Sequence, residues 1–214
     1  QIMETGSLGG GQLRIGASDT ICRYFLVPYL SRFHKEYPNI HIKVTNQTSI
    51  GCVDLLENGS VDLIFTNYPN SRLGNGKQVQ HIKDFQASFI ASRKYYGELE
   101  HQPLSFKELL NYPILMLDRN STTSEFLHAL FQQHQLDLVP EIELSSNDLL
   151  LDLADIGLGI AFVPDFCLAR AGGDLFQIPL KATLPTRQLA LAYSDKMPIS
   201  NAAKQFIQYF SQNS

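Results

Sequence analysis

Hydroxyl and amide side chains recur at five places in this sequence, each at or within a few residues of the end of a predicted strand. They are Ser18 with Thr20, Thr48 with Ser49, Thr66 with Asn67, Ser121 with Thr122, and Ser145 with Ser146. Without a neighbouring base these groups are weak nucleophiles, so the chemistry they offer is hydrogen bonding. Just ahead of a helix they cap its free N–H groups. The same N–H groups, with the helix dipole behind them, can hold an anion or a carbonyl oxygen. Any one Ser or Thr in such a place is an ordinary cap. Their repetition at equivalent strand ends points to a polar site for a small molecule.

Covalent and metal chemistry find no matching constellation. His34, His41, His81, His101, His128 and His134 are scattered. His128 and His134 do not share a helix face, so no metal site is expected. No Gly-x-Ser-x-Gly elbow or P-loop occurs, and Gly9-Gly10-Gly11 lacks the dinucleotide fingerprint. Asp19 and Asp118 lie near the hydroxyl clusters without an evident partner for acid–base work. Cys22 stands just inside a predicted helix start, where a thiolate could be stabilised. The simpler reading makes it a small buried side chain. Cys22, Cys52 and Cys167 are odd in number and lack metal-site spacing, which fits reduced thiols in a cytoplasmic setting. The expectation is a binding protein with no cofactor and no enzymatic activity.

The elements that must position these groups are legible in the apolar pattern. The 214 residues exceed one ordinary domain and suit two lobes, and 44% hydrophobic content supplies both cores. Leu13 to Ala17 alternates as a strand, and apolar positions from Tyr24 to Tyr37 recur at helical spacing with Pro28 in the first turns. Ile40 to Val44 reads as a strand, Ile50 to Glu57 as a helix, and Val61 to Phe65 as a strand. That is a parallel βαβαβ unit. Phe85 to Ala91 reads as a strand crossing into a second lobe. There the strand-then-capped-helix pattern repeats through Ile114–Leu117, Ser124–His134, Glu141–Leu144, Asp148–Ala154 and Gly157–Pro164. Gln188 to Tyr193 is a strand crossing back, and Ile199 to Phe210 is a closing helix. The fold class expected is α/β, with two Rossmann-like lobes joined by two crossing strands. Residues 12–84 with 187–214 form lobe I, and 85–186 form lobe II. Residues 1–11 read as the end of a linker helix and a flexible lead-in. In open parallel sheets ligands sit beyond the strand carboxyl ends, where the hydroxyl clusters fall.

Net charge is −4, which argues against this stretch gripping a phosphate backbone. DNA binding by a segment outside it is not excluded. No apolar run approaches the ~20 residues of a membrane span.

The order and spacing of several segments resemble the effector-binding domain of LysR-type transcriptional regulators. They are Leu13-Arg14-Ile15-Gly16, Leu26-Val27-Pro28-Tyr29-Leu30 with Phe33 and Tyr37-Pro38, Leu55 to Gly59, and Val61-Asp62-Leu63-Ile64. Leu109-Leu110 with Tyr112-Pro113, and Gly157 through Pro164, complete the pattern. The resemblance implies a periplasmic-binding-protein-like fold with a small-molecule effector in the inter-lobe cleft. It implies DNA binding only through an amino-terminal winged helix-turn-helix absent from this sequence. Effector contacts then map to Ser18, Thr20, Thr48 and Asn67 in one lobe. In the other they map to Thr122, Ser146, Val163 and Pro164. No cleft arginine for an acidic ligand can be placed, Arg23 and Arg119 being nearest by sequence. The resemblance also implies a homodimer of this domain, the full-length protein forming a dimer or tetramer. The helix of Phe25, Tyr29 and Phe33 would pack against the partner's helix of Phe126 and Leu130. A solute-binding protein of a transport system is the alternative that shares this fold class.

Overall fold

Alternation at the start of the chain becomes a buried strand: Leu13, Ile15 and Ala17 are fully enclosed. The structure is a computed structural model and describes residues 11–211. Apart from Gly11, the expected linker end at residues 1–11 lies outside them. In chain order the first elements are β1 (Gln12–Ala17), α1 (Asp19–Ile21), a π-helical turn (Cys22–Leu26) and α2 (Val27–Glu36). Then come β2 (His41–Asn46), α3 (Ser49–Glu57), β3 (Leu63–Tyr68), β4 (Lys77–Phe85) and β5 (Ala87–Ser92). The helices α4 (Arg93–Tyr96) and α5 (Phe106–Leu109) precede β6 (Ile114–Leu117), α6 (Thr122–Gln133) and β7 (Ile142–Leu144). Last are α7 (Asn147–Asp155), β8 (Ile160–Pro164), β9 (Leu175–Gln177), β10 (Arg187–Ser194) and α8 (Asn201–Gln208).

The chain divides into two units. One runs up to Lys83 and resumes at Gln188; the other is Asp84–Arg187. Arg187, which the sequence reading gives to lobe I, clusters with the second unit.

In the first unit the strand order is β2-β1-β3-β10-β4. β1 pairs in parallel with β2 (Ile15 opposite Val44) and with β3 (Ile15 opposite Leu63), which is the βαβαβ arrangement expected. β10 runs antiparallel to β3, so the sheet is mixed. Arg14 closes an ion pair with Asp62 at 2.9 Å, fastening β1 to the entry of β3. On one sheet face Phe65 meets Phe206 and Phe210, which flank the end of α8, with Phe206 also edge-on to Phe33 of α2. Such ring pairs add to the area they bury.

Two local readings are revised. The helical run begins at Asp19 under a Ser18 cap rather than at Tyr24, while Pro28 stands in the first turn of α2, as read. A π turn, in which Val27 N–H donates to Cys22 O, widens the helix just ahead of Pro28. That accommodates a residue with no N–H to give. The strand read as Phe85–Ala91 is two strands broken at Gln86. β4 is a polar edge strand whose outward half disguises it in sequence, and β5 lies inside the second sheet.

The second unit has order β7-β6-β8-β5-β9, with β6 parallel to β7 and β8, and β5 antiparallel to β8 and β9. Phe89, Met116, Leu127, Phe131 and Phe162 form the heart of its core. The turn into β8 depends on two glycines. Gly157 has φ +89°, and a Cβ on Gly159 would lie 2.5 Å from the Pro113 carbonyl oxygen. That oxygen accepts the Ile160 N–H at 2.8 Å, which starts β8 beside β6.

Candidate functional site: helix caps at the strand ends

In the first unit each parallel strand delivers the chain into a capped helix or a polar knot. Ser18 Oγ accepts the Ile21 N–H at 3.2 Å, and Thr20 lies in the same turn. Thr48 Oγ1 accepts the Gly51 N–H at 2.9 Å and caps α3. At the end of β3, Asn67 N–H donates to Ser49 Oγ at 3.2 Å. Asn70 Nδ2 donates to Thr66 Oγ1 at 2.8 Å and to Ser49 O at 3.0 Å. These bonds bring Asn67 and the start of α3 together. Asn46 Nδ2 bridges Ala17 O and Cys22 Sγ.

The cysteines near this end do not carry thiolates. Burial raises the Cys22 thiol, outweighing the Asn46 hydrogen bond, and burial pushes Cys52 up to about 12. Arg23 is spent on Asp19 in an exposed ion pair.

The second unit repeats the arrangement. Ser121 Oγ accepts the Ser124 N–H at 3.0 Å and donates to Asp118 O, capping α6 where β6 ends. Ser146 Oγ accepts the Leu149 N–H at 3.2 Å and caps α7 after β7. Val163 and Pro164 are buried on β8, paired with Ser88 and Ala87 of β5.

Beside the α6 cap lies a residue the sequence reading did not single out. Arg187, at the first position of β10, is 1% exposed. Its Nη1 donates to Thr123 Oγ1 at 3.0 Å and its Nη2 to Thr122 Oγ1 at 3.3 Å. The guanidinium carbon sits 4.9 Å from the Phe126 ring centroid and 5.3 Å from that of Phe85. Burial alone lowers its pKa to about 10, so it stays charged at neutral pH. The signal available in sequence was a charge at the foot of the apolar run Leu189-Ala190-Leu191-Ala192. Arg119, the neighbour by sequence, is exposed.

The aromatic residues assigned to a partner helix differ in what they touch. Phe33 is fully enclosed against Phe206 and Tyr37, and Leu130 is buried in the second unit's core. Phe25 and Tyr29 are half-buried against Phe210, and Phe126 is half-buried against Phe162 and Arg187. A separate recess of about 410 Å³ runs along Gln86–Phe89 of the second unit, and none of the expected effector residues line it. Among the described residues no cluster of three His, Cys, Asp or Glu could hold a metal, and no helix is long and apolar enough to cross a membrane.

Comparison with known proteins places this geometry in context. The LysR substrate binding domain family matches residues 6–214. The HTH-type transcriptional activator CmpR of Synechocystis sp. (strain ATCC 27184 / PCC 6803 / Kazusa) is 27% identical over 210 residues, covering 97% of this chain and 68% of that protein. A probable RuBisCO transcriptional regulator of Trichormus variabilis (strain ATCC 29413 / PCC 7937) is 24% identical over 214 residues, covering 97% and 63%. The chain thus spans roughly two thirds of the length of these relatives. Among solved structures, the Synechocystis PCC6803 CcmR regulatory domain in complex with 2-PG superposes with a TM-score of 0.84 at 21% identity, covering 94% of this chain and 96% of that one. The effector binding domain of QuiR in complex with shikimate gives 0.82 at 14% identity, covering 96% and 99%. The two-lobe α/β fold with two mixed sheets is that of these domains.

Proposed function

The chain belongs to the LysR substrate binding domain family, and from that premise we propose that it is the effector-binding part of a transcription regulator. It senses a small molecule at the carboxyl ends of its parallel strands. The observation that carries this reading is the repeated cap: Ser18 and Thr48 in one unit, Ser121 and Ser146 in the other, each opening a helix where a parallel strand ends. In each unit the two helix amino ends offer neutral hydroxyls and free N–H groups, which bind without reacting. The chain is therefore a sensor rather than an enzyme. Its relatives are transcription regulators, which does not favour the transport alternative. CcmR, BenM and QuiR are seen with 2-PG, benzoate and shikimate, all small compounds, and a small metabolite is the effector proposed here.

Ser18, Thr20, Thr48, Asn67, Thr122, Ser146 and the Val163-Pro164 segment are the contacts proposed. The ligand acts by linkage, favouring whichever arrangement of the protein binds it better. Output to DNA passes through a winged helix-turn-helix outside this chain, in a cytoplasmic regulator. The domain pairs as a homodimer, with the outward parts of Phe25, Tyr29 and Phe126 at the contact and Phe33 and Leu130 supporting them from the cores. The test is a thermal-shift screen of the purified chain against small metabolites. A ligand at ~100 times its Kd adds about 2.7 kcal/mol of stability. A hit that is lost in both Ser18→Ala and Thr48→Ala supports the reading. Unchanged melting across the whole screen, or hits indifferent to every cap substitution, overturns it.

A further inference from the structure

β9 covers only part of the edge of β5. The two strands pair where Ile90, Ala91 and Ser92 stand opposite Gln177, Phe176 and Leu175. Ile178 N–H still reaches Phe89 O at 2.8 Å. Continued, that register would set Leu180 opposite Ala87. The chain turns away instead. Leu104 N–H donates to Pro179 O at 3.0 Å, and Lys181 N–H donates to Leu104 O at 2.9 Å, so the segment is held by Leu104. The recess of about 410 Å³ opens in the gap, with Ala87 and Phe89 on one wall and Ile178, Leu180 and Leu184 on the other.

Strand alternation decides which groups face this gap. Gln86 O accepts the Asp165 N–H at 2.8 Å, so the main-chain groups of Gln86 and Ser88 turn to β8. Those of Ala87 and Phe89 turn the other way, to the recess. Phe89 O is taken by Ile178. The Phe89 N–H and both main-chain groups of Ala87 have no hydrogen-bond partner among the described residues, and neither do those of Leu180 across the gap. Ala87 and Phe89 are buried, and buried main-chain groups are nearly always paired. The recess is therefore a missing stretch of ladder with donors and acceptors on both walls. Among the described residues that line it none is charged. Gln86 Nε2 donates to Leu184 O at 3.3 Å, tying the two walls together.

We infer that this recess is a second binding site, for a neutral small molecule with an amide edge, an N–H beside a C=O as in a lactam or a primary amide. The edge pairs with Ala87 C=O and with the N–H of Ala87 or Phe89, as a neighbouring strand would. The apolar body of the ligand lies against Phe89, Ile178 and Leu180. A charged compound gives up its hydration there and meets no counter-charge. None of the cap residues lines the recess, so the inference does not rest on the effector-binding reading.

The experiment titrates the whole 214-residue chain with 2-pyridone, benzamide, N-methyl-2-pyridone and benzoate, followed by backbone amide shifts. The first two carry the amide edge, the third lacks its N–H, and the last is charged. Expected are saturable shifts at Ala87, Phe89, Ile178 and Leu180 with 2-pyridone and benzamide. N-methyl-2-pyridone should bind about tenfold more weakly, and benzoate should leave these residues unmoved. Ala182 lines the recess and is exposed, so Ala182→Trp should fill the space and abolish the shifts while the fold persists. Ser18→Ala and Thr48→Ala should leave them unchanged. No saturable shift at these residues with either amide overturns the inference. So does N-methyl-2-pyridone or benzoate binding there as tightly as the amides, or binding that survives Ala182→Trp. Shifts lost in Ser18→Ala and Thr48→Ala assign the amides to the caps, overturning the second site and leaving the effector reading in place.

Discussion

Arg187 Nη1 donates to Thr123 Oγ1 at 3.0 Å, tying the first residue of β10 to the first turn of α6. Both side chains are about 1% exposed. Because the donor is charged and dry, the bond is worth more as a requirement than as a gain. Thr123→Val leaves a buried N–H without its acceptor and should cost about 1–3 kcal/mol. In an Arg187→Met background the same substitution should cost much less, since no donor remains to be stranded. Urea unfolding of the four proteins closes the cycle. Equal costs in both backgrounds would show that the bond contributes nothing.

Gly159 admits no side chain. A Cβ there would sit 2.5 Å from the Pro113 carbonyl oxygen, a backbone atom that cannot turn away. Gly159→Ala should push β8 from β6 at the Ile160 to Pro113 hydrogen bond and destabilise by about 1–3 kcal/mol. Thermal melts measure it, and faster hydrogen exchange at Ile160 would locate the damage.

Glu108 supplies part of the acid sensitivity. The Ser105 backbone N–H, then Lys181, hold its carboxylate, lowering its pKa from 4.5 to about 2. The folded state thus binds this proton less readily than the unfolded state does. The stabilisation is complete above about pH 4.5 and is lost as pH falls toward 2. Glu108→Gln should flatten the decline of stability with acid in that window. An unchanged slope would mean that the Ser105–Glu108 capping box does not hold in solution.

The thiols should be slow to react. Burial raises Cys22, takes Cys52 to about 12 and pushes Cys167 higher still, so thiolate is scarce at neutral pH. Alkylation at pH 7.5 followed by mass spectrometry should find Cys52 and Cys167 unmodified while the fold lasts, and Cys22 modified slowly. Rapid modification of Cys22 would reopen a redox role for it.

The sequence by itself determined the elements and their order. Alternation at Leu13, Ile15 and Ala17 and the apolar spacing of Phe25, Tyr29 and Phe33 state periods that survive in any context. Ser18, Thr48, Ser121 and Ser146 were legible for the same reason, since a cap bonds to an N–H within three residues of itself. Where local pattern and local need diverged, the reading slipped. Polar β4 looks like a loop because it is an edge strand, and Pro28 is carried by a π turn that no spacing announces. Arg187 showed in the sequence only as a charge at the foot of an apolar run, and its burial and partners did not show at all. Its partners stand 64 and 65 residues away, and its burial is made by Phe85, Phe126 and the α6 cap closing around it. Local hydrogen bonds and periodicity are written in neighbouring residues. The isolation of a charge from water is a property of everything packed around it, and only the tertiary structure decides that.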